Sequence, residues 1–286
     1  MSEGTTILQG VVGSTAYGLS HEGSDIDRLG CFVAPTRLFH GLHPPVGKAA
    51  SRVSKDGGDL TEHEAGKYVS LLLNCNPTVT ELLWLPDEFY LTVHPEGLAL
   101  IAIREKFLSA KAVRNAYLGY ATQQFRKLND RGDGSFSADT RKRTEKHARH
   151  LKRLCWQGFT LYSEGWLPIT VEDPDSYHEF GRAVADDASH AGAMIAEYEG
   201  LFNTTETVLP ENPDEDAAVQ WLLEVRDRHY EGPKYVGLSP EIRAIKYMTE
   251  MIHYRLIGYH TIGECRLAMK NMIHIFEQAE RKKAAV

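Results

Sequence analysis

Cysteine is scarce in this 286-residue sequence, and its four cysteines, Cys31, Cys75, Cys155 and Cys265, form no C-x-x-C pair. Their wide spacing argues against a disulfide framework or a zinc site and is typical of reduced thiols in a cytoplasm. No apolar run approaches the roughly 18 residues of a membrane helix, and residues 1–4 show no secretory-signal pattern. We therefore expect a cytoplasmic protein that makes no contact with a membrane.

Internal repeats and low-complexity tracts are also absent. Apolar types make up 42% of the residues and charged types 25%, which excludes a disordered chain or a coiled coil and is typical of globular proteins. At roughly 100 to 200 residues per domain, the length allows one large domain or two modest ones. No heptad pattern marks a dimer interface, so the sequence leaves the oligomeric state open.

Basic residues are outnumbered, and the formal net charge of -7 at first disfavours a polyanionic partner. The charge is unevenly distributed, however, because residues 172–216 contain 13 acids and one base, Arg182, and this acidic segment carries -12. The rest of the chain has 31 bases and 26 acids, a charge of +5. Net charge therefore excludes no polyanionic partner. The sequence leaves open whether the acidic segment lies beside the functional site or away from it.

Strand patterns are confined to the first third of the chain. Three strands are predicted, at residues 5–12, 24–33 and 59–63. A helix is predicted at residues 64–73, a loop at the Pro- and Gly-rich residues 35–57, and either a further strand or the start of a helix at residues 78–85. These patterns predict an α/β unit at the beginning of the chain.

Helical periodicity dominates after Pro95. Helices are predicted at residues 95–107, 110–128, 139–163, 177–198, 215–229 and 239–260. We therefore predict two domains, a catalytic core at residues 1–95 and a helical domain at residues 96–286 that completes the cleft.

The strongest candidates for functional residues are Gly13-Ser14 and, ten residues later, Asp25-Ile26-Asp27. A strand that ends in Gly-Ser before a helix presents backbone N–H groups and a hydroxyl to an anion such as phosphate. Two aspartates at positions i and i+2 of a strand share a face, repel each other, and suit Mg²⁺ together with phosphate oxygens. A phosphate cradle beside metal ligands is what phosphoryl or nucleotidyl transfer requires.

These residues resemble a known signature, that of the DNA polymerase β-like nucleotidyltransferase superfamily. The longer string GSTAYGLSHEGSDIDRLGCFV is similar to bacterial and phage-borne predicted nucleotidyltransferases, one branch of which is associated with RNA ligases. Further similar segments are Asp59-Leu60-Thr61 with the later Lys67, Asn76-Pro77-Thr78 with Glu81-Leu82-Leu83, and Lys146-His147-Ala148 with His150-Leu151 and Arg153-Leu154. The resemblance spans residues 11 to about 155, roughly half the chain.

The resemblance implies an α+β fold, in which a small mixed sheet with helices on one face is followed by a mainly helical region. It also implies two Mg²⁺ ions held by Asp25 and Asp27, and a nucleoside triphosphate held near Gly13 and Ser14.

A third carboxylate on a neighbouring strand is implied too, as a metal ligand that helps to activate the acceptor hydroxyl. Asp59 is the first choice because it opens the third strand. Glu62 and Glu64 stay as substitutes, since the register of a short strand can slip by one residue.

A basic helix is predicted at residues 139–154, DTRKRTEKHARHLKRL. One stripe of that helix is formed by Lys142, Lys146, Arg149 and Arg153. The stripe is either a solvated face or a binding surface for phosphates of the nucleotide or the acceptor. The family resemblance at Lys146 and His150 favours binding, and Lys142, Lys146 and His150 are the predicted nucleotide-binding residues. Glu81, an acid among apolar neighbours, is interpreted either as structural or as part of the site.

The leading hypothesis is an Mg²⁺-dependent nucleotidyltransferase of the EC 2.7.7 class. It would transfer a nucleoside monophosphate from an NTP to a hydroxyl of an RNA end, a protein or a small molecule, with release of pyrophosphate. The alternatives are a non-catalytic NTP-binding module that retains the fold and a small-molecule adenylyltransferase. The sequence distinguishes neither the NTP nor the acceptor.

Overall fold

A mixed five-stranded sheet organises the first part of the chain. The structure, a computed structural model, describes residues 4–21, 23–55, 58–129 and 138–230, which all belong to one compact unit. Within these ranges the strands are β1 Thr5–Val12, β2 Asp27–Val33, β3 Ser51–Ser54, β4 Asp59–Glu64 and β5 Tyr90–Val93. They follow the order β3-β4-β2-β1-β5, in which β2 and β4 are parallel and the other pairs antiparallel. The predicted mixed sheet is confirmed.

Two strands are not predicted by the sequence patterns. Strands β3 and β5 are only four residues long, which is too short for a clear alternating pattern. Strand β3 also lies inside residues 35–57, whose Pro and Gly content predicts a loop. Both lie at the edges of the sheet and pair with a single neighbour.

The second strand begins later than predicted. Strand β2 starts at Asp27, the partner of Val12 at the end of β1, because β1 stops where Gly13 takes a positive φ of 72°. Asp25 therefore precedes the strand, and the prediction that Asp25 and Asp27 share one strand face is wrong.

The helices follow the predicted periodicity closely. Within the described ranges the α-helices are α1 Gly13–Ala16, α2 Ala65–Leu73, α3 Pro77–Thr80, α4 Pro95–Ala102, α5 Ala110–Asn129, α6 Ala138–Glu164, α7 Pro174–Asp186, α8 Ser189–Thr204 and α9 Glu215–Arg228. Residues 78–84 are helical and not a strand, and Leu85 is extended. The helix predicted at residues 177–198 is divided between α7 and α8, because Asp187 leaves the helical conformation and its carboxylate accepts from the Ser189 N–H. The predicted helix at residues 239–260 lies outside the described residues.

One face of the sheet joins the helices in a continuous core. Leu29 and Cys31 of β2 are fully or almost fully buried with Tyr68 of α2 and Leu151 of α6. Cys31, Cys75 and Cys155 are buried free thiols. The α+β class, with a helical layer on one face and a mainly helical second part, is confirmed. The domain boundary at residue 95 stays a prediction.

Two hydrogen bonds, one from a backbone N–H and one from a side chain, also connect the first helix and the residue after it to the segment that follows α6. The Val171 N–H donates to the Tyr17 carbonyl, and the Thr170 hydroxyl donates to the Ala16 carbonyl. The turn after β1 is thereby attached to the helical part of the chain.

No helix in the part of the chain that the structure describes is both long enough and apolar enough to cross a membrane.

Candidate functional site

A cavity of about 640 Å³ opens where β1 ends and where β2 and β4 begin. The sheet side of this cavity includes Gly13, Ser14, Asp25, Asp27, Asp59 and Thr61. The helix side includes Lys146, Arg149, His150 and Arg153, all from α6. The structure therefore brings together the turn, the three aspartates and most of the basic stripe, although they are far apart in the sequence.

The parallel pairing of β2 with β4 positions the carboxylates. Asp27 and Asp59 are register partners at the first residue of each strand, so their side chains emerge side by side from the same face. The pKa of Asp27 is raised, mainly by burial and further by the negative charges of Asp59 and Asp25, while Lys146 on α6 opposes this rise. Asp27 thus lies between like charges on its own side and a cation on the opposite side of the cavity.

Carboxylate oxygens are the ligands that Mg²⁺ prefers, and a cation among Asp25, Asp27 and Asp59 would relieve their mutual repulsion. Among the described residues, however, no three His, Cys, Asp or Glu side chains are grouped closely enough to form a metal site by themselves. Mg²⁺ usually takes one or two protein carboxylates and completes its shell with water and phosphate oxygens. The donor set fits an ion of that kind.

Gly13 is required by the shape of the turn. Its φ of 72° lies in the left-handed region, and a Cβ at this position would collide with the Asp27 carboxylate. The close approach of the Gly13 backbone to Asp27 places the turn directly beside the carboxylates, as the Gly-Ser pattern predicts.

Glu62 and Glu64, the alternatives to Asp59 as the third carboxylate, bind other residues. Glu62, which is buried, accepts a hydrogen bond from Thr6 at 2.6 Å and forms an ion pair with Arg52 at 3.2 Å. Glu64 binds Arg226 through both carboxylate oxygens and also accepts from the Gly66 N–H at the start of α2. Neither lines the cavity, because alternation along β4 directs them away from the face that carries Asp59.

The basic stripe enters the cavity only in part. Lys146, Arg149 and Arg153 line it, whereas Lys142 lies exposed about one helical turn earlier and is not a lining residue. The role of Lys142 in nucleotide binding therefore stays a prediction without a position in the cavity to support it.

Glu81 belongs to the wall of the cavity, although it is only 2% exposed. Its carboxylate accepts a hydrogen bond of 2.5 Å from the Tyr17 hydroxyl and lies 3.6 Å from the Arg153 guanidinium. Burial raises the pKa of Glu81 to about 7, which outweighs the lowering by Arg153 and by the Tyr17 hydrogen bond. Both interpretations of Glu81 therefore hold in part: its carboxylate makes structural contacts, and it is also one of the residues that line the cavity.

Other lining residues were missed by sequence reasoning. His21, Thr61 and Thr78 lie inside the segments that resemble the superfamily, but the resemblance assigns them no role; Thr61 follows Asp59 by two residues and shares its strand face. The position of His21 and Thr78 depends on how the loops and α3 pack against the sheet, which sequence spacing does not encode.

The acidic segment has a structural explanation. None of its acids, all of which are described, lines the cavity. Asp173 and Asp214 cap α7 and α9, and Asp186 pairs with Arg141 at 2.6 Å. Among the described residues, the acids that line the cavity are Asp25, Asp27, Asp59 and Glu81.

The structure thus combines a small mixed sheet with a Gly-Ser turn, three aspartates and basic side chains of α6 around one cavity. The model of one family, described as the RNA repair pathway DNA polymerase beta family, matches residues 2–179, which is more than half of the sequence. The chain belongs to this family, and the resemblance to the DNA polymerase β-like superfamily is confirmed.

Comparison with curated proteins gives no match. Among solved structures, a nucleotidyltransferase-like protein from Exiguobacterium sibiricum 255-15 is similar at 12% sequence identity and a TM-score of 0.29, with 90% of this chain and 86% of that chain covered.

Proposed function

We propose that the protein is an Mg²⁺-dependent nucleotidyltransferase of the EC 2.7.7 class. It transfers a nucleoside monophosphate from an NTP to an acceptor hydroxyl and releases pyrophosphate. One observation carries this proposal: three aspartates and three basic side chains of α6 line the same cavity beside the Gly13-Ser14 turn. Family membership supports the reaction class.

Asp25, Asp27 and Asp59 are the residues that would hold Mg²⁺. When bound, Mg²⁺ supplies charge neutralisation at the nucleotide phosphates and lowers the pKa of the attacking hydroxyl. In this proposal Asp59, which is exposed at the start of β4 and is the register partner of Asp27, accepts the acceptor's proton.

Lys146, Arg149 and His150 bind the triphosphate in this proposal. They lie across the cavity from the aspartates, and Lys146 is close enough to Asp27 to oppose the rise of its pKa. Ser14 contributes a hydroxyl on the sheet side. Cations on one side and carboxylates on the other can orient the nucleotide with its phosphates between them.

An RNA end is the acceptor that we propose. The family description refers to an RNA repair pathway, and outside the acidic segment the chain carries a net charge of +5, which suits a polyanion. A protein or small-molecule hydroxyl would need neither feature.

Reversing two charges on α6 tests the nucleotide site. Wild type and Lys146→Glu/Arg149→Glu are incubated with Mg²⁺, a short RNA and each labelled NTP in turn, and both labelled RNA and pyrophosphate are measured. We expect wild type to form them in equal amounts and the variant to lose at least about 10²-fold in kcat/KM, because each hydrogen bond to a charged group contributes roughly 1.5–3 kcal/mol.

Arg143→Glu is the matched control, since Arg143 is exposed on the same helix and does not line the cavity. It should retain wild-type kcat/KM. Equal activity of the double variant and the control would contradict the placement of the triphosphate. Tight NTP binding in calorimetry without turnover of any NTP would instead identify a non-catalytic NTP-binding module.

Gly13→Ala tests the turn beside the carboxylates. A methyl group at Gly13 must displace Asp27, and misplacement of a reacting group by about 1 Å can cost about 10²-fold in rate. Gly18→Ala is the control because Gly18 has the same φ of 72° while the nearest atom to its Cβ, in Thr170, is 3.5 Å away.

Both alanine variants should lose about 1–2 kcal/mol of stability from the left-handed backbone, as measured by urea unfolding. Only Gly13→Ala should lose about 10²-fold in transfer rate. A similar rate loss in both variants would show that backbone strain, and not the position of Asp27, limits activity.

A further inference from the structure

A buried polar cluster closes the back of the cavity. It consists of Tyr17 after α1, Glu81 in the 3-10 turn Glu81–Trp84, and His150, Arg153 and Gln157 of α6. We call it the Arg153 cluster. Arg153 is 3% exposed and Gln157 is 1% exposed, although guanidinium groups are almost never buried without partners.

The Arg153 guanidinium is held on several sides. It stacks on the Tyr17 ring at 3.8 Å, lies 3.6 Å from the Glu81 carboxylate, and donates a hydrogen bond to the Gln157 side-chain oxygen. Gln157 in turn donates to the Pro168 carbonyl at 2.7 Å. Burial raises the pKa of Tyr17 well above 10, so its hydroxyl keeps its proton and donates to Glu81. These contacts hold the guanidinium between the Tyr17 ring, the Glu81 carboxylate and the Gln157 side chain.

In that orientation the Arg153 Nη2 lies 2.9 Å from the Nδ1 atom of His150. A guanidinium has only donors, so Nδ1 must accept this hydrogen bond and therefore carries no proton. An imidazolium has a proton on both nitrogens, and the contact excludes it. The ring must be the neutral tautomer with its proton on Nε2.

We infer that Arg153 is a positioning residue that holds His150 in the Nε2–H tautomer, so that the second ring nitrogen of His150 is a hydrogen-bond donor and not a proton acceptor. The inference that this donor meets a nucleotide phosphate oxygen rests on the proposed function, whereas the tautomer does not. His150 lines the cavity together with Lys146 and Arg149, and all three are then donors. The α6 side of the cavity is accordingly suited to bind an anion and not to remove a proton, which leaves that task to the aspartates.

Nitrogen-15 NMR of the histidine rings tests the inference on the full chain. Long-range proton–nitrogen spectra at pH 7 distinguish protonated from unprotonated ring nitrogens, and His150→Gln identifies the His150 signals by their loss. We expect an unprotonated Nδ1 and a protonated Nε2 in wild type. A protonated Nδ1, either alone or in an imidazolium, would overturn the inference.

The role of Arg153 is tested by Arg153→Met/Glu81→Gln, which removes the donor and its balancing charge together. His150 should then show a mixture of tautomers, and the KM for the NTP should rise about tenfold with a smaller change in kcat, as expected for one lost hydrogen bond to phosphate. Tyr17→Phe, which removes a hydroxyl and leaves the contact between Arg153 and His150, should keep the wild-type spectrum. A single Nε2–H tautomer in the double variant would refute positioning by Arg153.

These outcomes are separable from failure of the proposed function. The wild-type spectrum requires no turnover, so a protein with the expected tautomer and no transfer with any NTP would count against the transferase reaction alone.

Discussion

Replacing Asp27 with asparagine is expected to reduce NTP-dependent transfer by at least about 10³-fold, because metal-ion catalysis supplies several kcal/mol of charge stabilisation. Asp27 is the central acid of the cavity: Asp59 is its register partner on β4, and Asp25 also raises its pKa. Asparagine keeps the shape and one oxygen but removes the charge that would bind the cation. The measurement is pyrophosphate release with the preferred NTP.

The loss should occur without unfolding. The folded-state pKa of Asp27 is above its ordinary value of 3.8, so the folded protein binds this proton more tightly than the unfolded chain does. That preference stabilises the fold below the ordinary pKa and is lost as pH rises through the raised value. At pH 7 the ionised Asp27 therefore destabilises the folded protein. Asp27→Asn should unfold at the same temperature as wild type or higher.

Asp87→Asn provides the same chemical change at an exposed position outside the cavity, and it should leave the transfer rate unchanged. Near-normal transfer by Asp27→Asn, or a loss of transfer that tracks a lower unfolding temperature, would be incompatible with a role as metal ligand.

Removing Arg226 is expected to cost about 3–5 kcal/mol of stability, because its partner Glu64 would be left as an uncompensated buried charge. Arg226 of α9 donates to both oxygens of Glu64, at 2.5 and 2.7 Å, and stacks on the Phe39 ring at 4.0 Å. The Glu64 side chain at the end of β4 is only 2% exposed. Arg226→Met is the informative variant, since methionine preserves the apolar stem and removes the charge.

Arg228→Met is the comparison for this experiment. Arg228 lies on the same helix, is 40% exposed, and approaches Glu96 at 3.8 Å, so its removal should change stability by no more than about 1 kcal/mol. Urea unfolding measures both variants. Equal, small losses would show that the ion pair between Glu64 and Arg226 does not hold α9 to the sheet.

The site was predictable from sequence where short-range spacing determines it. Gly13 and Ser14 follow a clear apolar strand, and Asp27 and Asp59 each open a strand with recognisable flanks. Their convergence required only that neighbouring strands begin at the same edge of the sheet. The resemblance of the motif to a superfamily added the expected order of these parts.

What the sequence left open depends on tertiary pairing. The parallel register of β2 and β4, which distinguishes Asp59 from Glu62 and Glu64, is set by packing across the sheet and not by the sequence of either strand. The pattern of the basic stripe that contains Arg153 is compatible with a solvated face or with a phosphate-binding surface, yet Arg153 itself is buried against Glu81 and Tyr17, which come from distant parts of the chain. Helical periodicity identifies a face but not what covers it.

The link between the Gly-Ser turn and the segment after α6 has a practical consequence for dissection of the molecule. A truncated chain that ended at residue 95 would retain Asp25, Asp27 and Asp59 but lose Lys146 and Arg149, which line the opposite wall. It would also lose the donors, Thr170 and Val171, that tether the carbonyls of Ala16 and Tyr17. The unit that forms the cavity therefore cannot be shortened to the signature motif, since its carboxylates and its cations come from different stretches of the polypeptide.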